Sequence, residues 1–354
     1  MLLSLDVLDK KGLQFKNVIN DYTSLQLTRV ANEPGVLIAE YAKLPDVEPL
    51  DVIRVNLEGI ELGHYIITEV KTQYTSGSFR YFVKAEHLNV ILSWLPVTPG
   101  SLNMPVYSAI KNLVSNTFSN FNFSGLFEIE VPVQELKDES GADLIVSKEL
   151  LAGSSLLDCL KEIRDFCVTN LYFISWDIKA IKEDYLLPFR RQNKEVKFRF
   201  RCGINDISDR VIFSVASGIA SYEYSAVPIS PSRVYVRGQT GDGQMLYGVA
   251  IDSEAEAQSI FGVIAEYTVA FDTGDQLLLN DLAMIELLKR QSKDILSATV
   301  DKTSPFVFNK DFSVGDIVTV VLLEASLKAQ VKAFELRADA TNFEQVVYLE
   351  PVGG

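Results

Sequence analysis

Two stretches decide how this sequence is read: PLDVIRVNL, residues 49–57, and VGDIVTVVL, residues 314–322. Each places an aspartate, Asp51 or Asp316, directly before an alternating β-branched run that closes on Val-x-Leu. Such alternation is the period of a strand with one buried face. Turn residues precede both runs, Glu48-Pro49 in the first and Val314-Gly315 in the second. A long strand pattern follows each, over residues 64–74 and 327–338. The same opening written twice, about 265 residues apart, points to a duplicated strand unit, with Asp51, Gly315 and Asp316 marking its two openings.

Around the first opening, residues 1–95 read as all-β. Short runs (LLSLDVLD, LQFKNV, LQLTRV, GVLIAEYA) alternate with turn clusters at residues 9–12 and 32–35. DVIRVNL, HYIITEVKTQY and FRYFVKAEHL follow, the last two flanking the hairpin signal Thr75-Ser76-Gly77-Ser78. About seven strands at this spacing suggest a small barrel or sandwich. The pattern changes at Pro96. A helix is expected over 106–118, capped by Asn103 or Ser101, then a strand over 127–133 and a helix over 155–168 capped by Ser154. The runs LYFISWDI, DYLLPF and VKFRF complete an α+β module.

From residue 206 the pattern returns to β with RVIFSVA, ASYEYSA, RVYVRGQ and QMLYGVA, and GQTGDG (238–243) forms a hairpin turn. Asp252 caps a short helix ending before Gly262, and GVIAEYTVAF reads as a strand. A helix over 276–292 stands behind Thr273 and Asp275, with Leu278, Leu282, Ile285 and Leu288 as its buried stripe. The chain ends in five strand runs, from ILSATVD and PFVFN to EQVVYLEP. Five strands are thin for a barrel of the first kind, so the second unit must borrow from 206–249. The expected fold is mainly β with an α+β part. One antiparallel barrel covers 1–98 and a second is built from 206–249 with 294–354. A peripheral domain takes 99–205 with 250–293.

With 354 residues, 47% hydrophobic and 23% charged, the chain has the composition of a folded multi-domain protein. Its net charge of −14 argues against clamping nucleic-acid phosphates. Residues 206–354 carry about 11 positive and 21 negative groups, so roughly −10 of the charge lies there. The locally basic stretch 182–201 reads as a solvated face or a contact with an acidic neighbour. Three cysteines, Cys159, Cys167 and Cys202, close no disulfide framework and suit a reducing cytoplasm. MLLSLDVLDKK lacks a basic n-region, so no signal peptide is expected, and no apolar run is long enough for a membrane span.

Chemistry-bearing patterns are sparse. His64 and His87 stand on strand runs outside any metal-binding spacing and read as sheet residues. Gly238, Gly241 and Gly243 fit a G-x-x-G-x-G pattern but no helix follows, which a phosphate site requires. Asp138, Glu139 and Asp143 lie in one polar turn; Cys159 and Cys167 share a helix face as buried thiols; Trp94 is expected to plug the first barrel. No catalytic, cofactor-binding or metal-ligating residue is assigned, and a non-enzymatic protein is expected.

Residue order carries a resemblance. IDSEAEAQSIFGVIAEYTV, a Leu-rich helix and then FSVGDIVTVVL resemble the C-terminal half of phage baseplate-hub and tail-hub proteins, with Gly315-Asp316 opening the strand. DYTSLQLTRVANEPGVLIAEYA, with Arg29, looks like their opening hairpin, and ELLAGSSLLDCLKEI resembles a helix of their peripheral domain. The resemblance implies two tube-forming barrels per chain. It implies a homotrimer whose six barrels match a six-fold tail tube or distal tail ring while a three-fold spike or fibre attaches below. It also implies a channel for DNA and the tape measure protein, and a virion tail assembled in the host cytoplasm. The acidic bias of 206–354 would suit a lumen that lets DNA slide. Neither sequence-specific nucleic-acid binding nor a cofactor is implied. Three alternatives stay open: a β-rich cell-wall glycan hydrolase, a host-carbohydrate-binding module, and the hub of a contractile injection system.

Overall fold

The computed structural model describes residues 3–10, 13–75, 77–121, 126–138, 140–180, 198–225, 231–241, 243–258, 266–270, 274–290, 295–300, 304–322, 325–339 and 342–352. The chain gathers into two compact units. One holds residues 1–164, 173–222 and 297–354, the other residues 165–172 and 223–296.

All seven strands expected at the start form: β1 (Leu3–Leu8), β2 (Phe15–Val18), β3 (Tyr22–Val30), β4 (Val36–Tyr41), β5 (Val52–Leu57), β6 (Ile60–Thr75) and β7 (Ser78–His87). Their inward positions are apolar and fully buried, among them Leu5, Val7, Leu27, Leu37, Ala39, Ile53, Val55, Ile67, Val83 and Ala85. Burial at alternate positions selects one register, because a one-residue slip would turn that whole set to solvent. Gly77, at φ 88°, closes the β6–β7 turn between paired Thr75 and Ser78. A short helix α1 (Ile91–Trp94) follows. Trp94 is 48% exposed on it, not a plug for the sheet, and Leu92 is the residue of that turn that goes inside.

The α+β part begins with β8 (Gly100–Pro105) and α2 (Val106–Asn120). Neither Asn103 nor Ser101 caps α2, because both lie in β8, paired with Ser147 and Glu149. Pro105 at the N-cap offers no side-chain acceptor. Glu135 supplies one: its carboxylate accepts from Tyr107 N at 2.7 Å and Ser108 N at 2.9 Å, a negative group at the positive end of the helix. β9 (Phe127–Glu130), β10 (Ile145–Leu150) and α3 (Leu156–Thr169) come next. The cap of α3 is Ser155, whose Oγ accepts from Asp158 N at 3.1 Å; Ser154 instead turns its carbonyl to Val97 N. β11 (Ser175–Ala180) and β12 (Phe198–Gly203) complete a three-stranded sheet, β12 running parallel to β9. The expected strand DYLLPF and most of the basic stretch 182–201 lie outside the described residues.

β13 (Ile212–Ser214) and β14 (Ile219–Ser225) follow, then β15 (Arg233–Gln239), β16 (Met245–Ile251), α4 (Ser253–Gln258), β17 (Glu266–Ala270) and α5 (Gln276–Arg290). β15 pairs with β16 and β17 in a separate sheet. The 238–243 turn closes that hairpin, with Thr240 N bonded to Gln244 O at 2.9 Å; Asp242 lies outside the described residues. Asp252 and Asp275 cap α4 and α5 as expected, through Ala255 N and Leu278 N; Gly262 and Thr273 lie outside the described residues. The buried row of α5 is Leu279, Ala283 and Leu287; of the expected stripe, Leu282 packs half-buried against that row and Leu278 is 44% exposed. Ile285 and Leu288, of the same stripe, have side chains outside the described residues. Both rows are apolar at helical spacing. The sheet takes the one with a small residue at its centre, and Gly248 meets the backbone of Leu279 so closely that a Cβ would stand 2.0 Å from its carbonyl oxygen.

The chain ends with β18 (Ile295–Val300), β19 (Ile317–Leu322), β20 (Ala325–Asp339) and β21 (Phe343–Pro351). PFVFN forms no strand; Phe308 instead stacks on Phe334 with centroids 3.8 Å apart. Among the described residues, thirteen strands make one large sheet in the order β14-β18-β21-β20-β3-β4-β7-β6-β5-β1-β2, with β13 on the outer side of β19 and β19 on β20. The fold is mainly β, as expected.

Candidate functional site

The two strand openings have the same local structure. Asp51 and Asp316 are both buried, at 2% and 8% exposure. Asp51 Oδ2 accepts from Glu48 N at 3.0 Å, and Asp316 Oδ2 from Ser313 N at 2.7 Å, each three residues back. The residue before each is left-handed, Leu50 at φ 73° and Gly315 at φ 89°. Both pairs clamp the following long strand by two backbone bonds. Leu50 N donates to Ile67 O and Ile67 N to Asp51 O, both 2.8 Å; Gly315 N donates to Val331 O at 2.7 Å and Val331 N to Asp316 O at 2.8 Å. The second carboxylate oxygen differs. Asp51 Oδ1 takes Lys10 N, with Lys16 Nζ 3.2 Å from Oδ2, whereas Asp316 Oδ1 takes Asn205 Nδ2 at 2.7 Å. Asp51→Ala or Asp316→Ala would strand buried N–H donors. Each is expected to cost about 2 kcal/mol in urea unfolding, with Asn restoring part because its amide oxygen still accepts.

The correspondence extends along the hairpins. Leu57 pairs with Ile60 as Leu322 pairs with Ala325, an offset of 265 residues. Past the clamp the offset is 264: Val70 pairs with Val83 as Phe334 pairs with Val347. The missing residue is a bulge in β6 at 61–63, where the β5 register shifts between Val55 and Asn56. A second bulge lies at the same place in both long strands, at Thr68 and at Lys332. Strand order corresponds too: β3-β4-β7-β6-β5-β1 against β14-β18-β21-β20-β19-β13. One difference is that β1 lies antiparallel to β5 while β13 lies parallel to β19.

At one edge the two units diverge. On the β19 side of β20, residues 325–330 pair with β19 and residues 333–339 with β3. The junction covers Phe334 and Leu336, both 0% exposed. It also carries a polar network. Glu335 Oε1 accepts from Gln26 Nε2 at 2.6 Å and from Arg337 Nε at 2.8 Å, and Oε2 accepts from Tyr348 Oη at 3.1 Å. Burial opposes the Glu335 charge, but the Arg337, Gln26 and Tyr348 bonds prevail and hold its pKa below the ordinary value. In the first unit the same stretch of β6, residues 68–75, pairs only with β7 among the described residues. Tyr74, in the place of Ala338, is 64% exposed and packs on Phe79, itself 55% exposed.

A second feature joins β11 to the first strand unit. Arg29, 3% exposed, donates from Nη2 to Asp177 Oδ1 at 2.8 Å and from Nη1 to Leu62 O at 3.1 Å. Gly63 makes room for it, since a Cβ there would lie 2.7 Å from Nη1. Two buried asparagines serve the β11 backbone. Asn32 Oδ1 accepts from Trp176 N at 2.9 Å, and Asn89 Oδ1 from Ile178 N at 2.9 Å. These are the bonds a neighbouring strand would make, supplied by side chains. His64 faces Glu61 at 3.1 Å, and His87 is buried with Nδ1 accepting from Asn89 N. Burial and then the Arg29 charge push the His87 pKa well below 6.5. His87 stays neutral in the fold but protonates near pH 6.5 once unfolded. Its contribution is therefore complete above about pH 6.5 and is lost as pH falls, by up to about 1.4 kcal/mol per pH unit. Urea unfolding between pH 7.5 and 5 should show that slope, and His87→Gln should remove one proton's share of it.

Cys159, Cys167 and Cys202 are buried free thiols, and burial pushes Cys167 up to about 12. Lys137 pairs with Asp143 at the surface turn, and Asp138 accepts from Ser140 N at 2.9 Å. Among the described residues no three His, Cys, Asp or Glu side chains gather where a metal ion would sit, and no helix is long and apolar enough to cross a membrane.

No family model matches the sequence, and no curated protein matches it. Solved structures do match the fold, nearly end to end. A tail protein from Neisseria meningitidis MC58 is similar at TM-score 0.59 and 14% identity, over 99% of this chain and 97% of that one. The 43 kDa tail protein of a Shewanella oneidensis prophage gives 0.57 and 10%, over 98% and 95%. A prophage tail protein from Listeria monocytogenes EGD-e gives 0.53 and 13%, over 98% and 94%. The chain has the fold of phage and prophage tail proteins, in agreement with the resemblance carried by its residues.

Proposed function

We propose that this chain is a structural, non-enzymatic hub of a phage tail tip or baseplate, located in the virion tail. Three copies close into a ring in which each chain contributes two tube-type barrels, so that six similar units face the six-fold tail tube or distal tail ring. The three-fold side receives a spike or fibre, and the central hole forms part of the path for DNA and the tape measure protein. The observation that carries this reading is the strand unit written twice, with the same buried aspartate clamp and the same bulge in the following strand. A unit repeated within one chain converts three-fold into pseudo-six-fold symmetry without a second gene product. The shared fold with tail proteins supports the setting.

The purified protein should weigh about 118 kDa in solution, three times its 39.4 kDa chain, with a central hole in negative stain. A monomer with lytic activity that disappears on replacing one Asp or Glu would overturn the reading in favour of a glycan hydrolase.

A further inference from the structure

One ring nitrogen links the first strand unit to β11. His87 Nδ1 accepts from Asn89 N at 3.3 Å, and Asn89 Oδ1 accepts from Ile178 N at 2.9 Å. The ring is 1% exposed and packs edge-on against Tyr65, with centroids 5.4 Å apart. A Cβ on Gly63 would stand 3.3 Å from its Cδ2, so the ring has no free space on that side. From the ring to the β11 backbone the path is two hydrogen bonds long, and it runs through the lone pair that a proton would occupy. We propose that His87 is an acid-opened latch: a proton on Nδ1 releases β11 from the first strand unit while the sheet of that unit stays folded.

The surroundings of the ring leave a second proton no place in the closed form. From β3, Arg29 Nη2 holds Asp177 Oδ1 at 2.8 Å, and the same oxygen is the one 3.8 Å from His87 Nδ1. From β11, Lys179 Nζ stands 3.9 Å from the other oxygen of Asp177. From β6 come the Tyr65 phenol and His64, whose Nδ1 faces Glu61 at 3.1 Å. A cation at Nδ1 would meet the Asn89 N–H donor against donor and would compete with Arg29 for one oxygen. Burial, then Arg29, His64 and Lys179, keep the closed ring neutral well below pH 6.5. The proton is therefore taken up where the ring meets water, near pH 6.5. Opening grows about tenfold for each pH unit below about 6.5 and is insensitive to this ring above it. Residues 174–178 are suited to leave, because the first unit holds them by side chains: Asn32 on Ile174 O and Trp176 N, Asn89 on Ile178 N, and Arg29 on Asp177. β5, β6 and β7 are joined instead by continuous backbone ladders. The latch goes beyond the hub reading and needs no particular number of copies.

The test is hydrogen exchange of the full-length protein, read by mass spectrometry at pH 7.5, 6.5 and 5.5, all above the sequence pI of about 4.7. Each rate is divided by the intrinsic rate at that pH to give an opening constant. Peptides over β11 should open about tenfold more at pH 5.5 than at pH 7.5, and at every pH at least about tenfold more than peptides over β5. His87→Gln, whose amide oxygen still accepts from Asn89 N, should abolish the rise, and His64→Gln should keep it. Equal opening constants for β11 and β5 would mean that the ring is reached only by unfolding of the whole unit, and would overturn the latch. So would a β11 opening constant that does not change with pH, a rise that survives His87→Gln, or one that His64→Gln removes. Should His87→Gln fail to fold, the comparison of β11 with β5 in the unaltered chain decides alone.

Discussion

Asp177→Ala is expected to lower the unfolding free energy of the unit containing it by about 3–5 kcal/mol, the cost of leaving a buried charge without its partner. The guanidinium of Arg29 is 3% exposed, and Asp177 is its one carboxylate at hydrogen-bond distance, 2.8 Å, among the described residues. The guanidinium has little solvent of its own to replace the lost oxygen, while Asp177 is 16% exposed. His87, 3.8 Å from the same carboxylate, is neutral and offers no compensation. Removing both charges, as Arg29→Met with Asp177→Ala, should recover most of the loss, because the penalty comes from the orphaned charge more than from the bond. Denaturant unfolding of the two single variants and the double variant measures this directly. Equal losses in all three would mean that Arg29 is held by its Leu62 carbonyl contact and not by Asp177.

Gly315→Ala should be the next most costly change, at about 2–4 kcal/mol. Two effects add. The residue sits at φ 89°, where an L side chain is strained by roughly 1 kcal/mol or more. Its new Cβ would also stand 2.4 Å from Ser175 Cβ, an atom fixed by backbone, so the clash cannot be relieved by a rotamer. The first unit supplies the control. Leu50 holds the same left-handed position at φ 73° with its side chain 55% exposed, so it tolerates the strain because nothing stands in the way. The repeat thus permits any residue at this position that has room, and the packing of Ser175 restricts the second copy to glycine. Gly315→Ala combined with Ser175→Gly should return part of the stability, which thermal unfolding would show.

What the sequence made legible was local and periodic. The seven first strands, the Thr75–Ser78 turn and the caps Asp252 and Asp275 follow from alternation, turn chemistry and a side chain acting within three residues of itself. The Asp51 and Asp316 openings were visible as similar strings, and their clamp is likewise a three-residue contact. What local patterns could not carry came from distance. Glu135 caps a helix 27 residues away, and Asn32 reaches strand backbone 144 residues away. The row α5 buries was ambiguous because two apolar rows sit one position apart, and only the close approach of Gly248 selects between them. The pairing of β6 beyond its bulge was hidden for another reason. Val70, Thr72 and Tyr74 read as ordinary alternation, and nothing in that string says that β7 is their one partner strand among the described residues. The polar network around Glu335 had a faint signal, a Glu and an Arg two apart on a strand face, but its meaning depends on Gln26 from the first copy of the strand repeat.

In the proposed hub, the two strand units of each chain stand around one axis. The direct measurement is a cryo-electron microscopy reconstruction of the assembled protein, computed without imposed symmetry. It should show three chains around a central hole, with six similar sheet units that superpose about sixty degrees apart. A closed two-fold dimer, or three chains whose repeated units sit at unrelated radii, would contradict it.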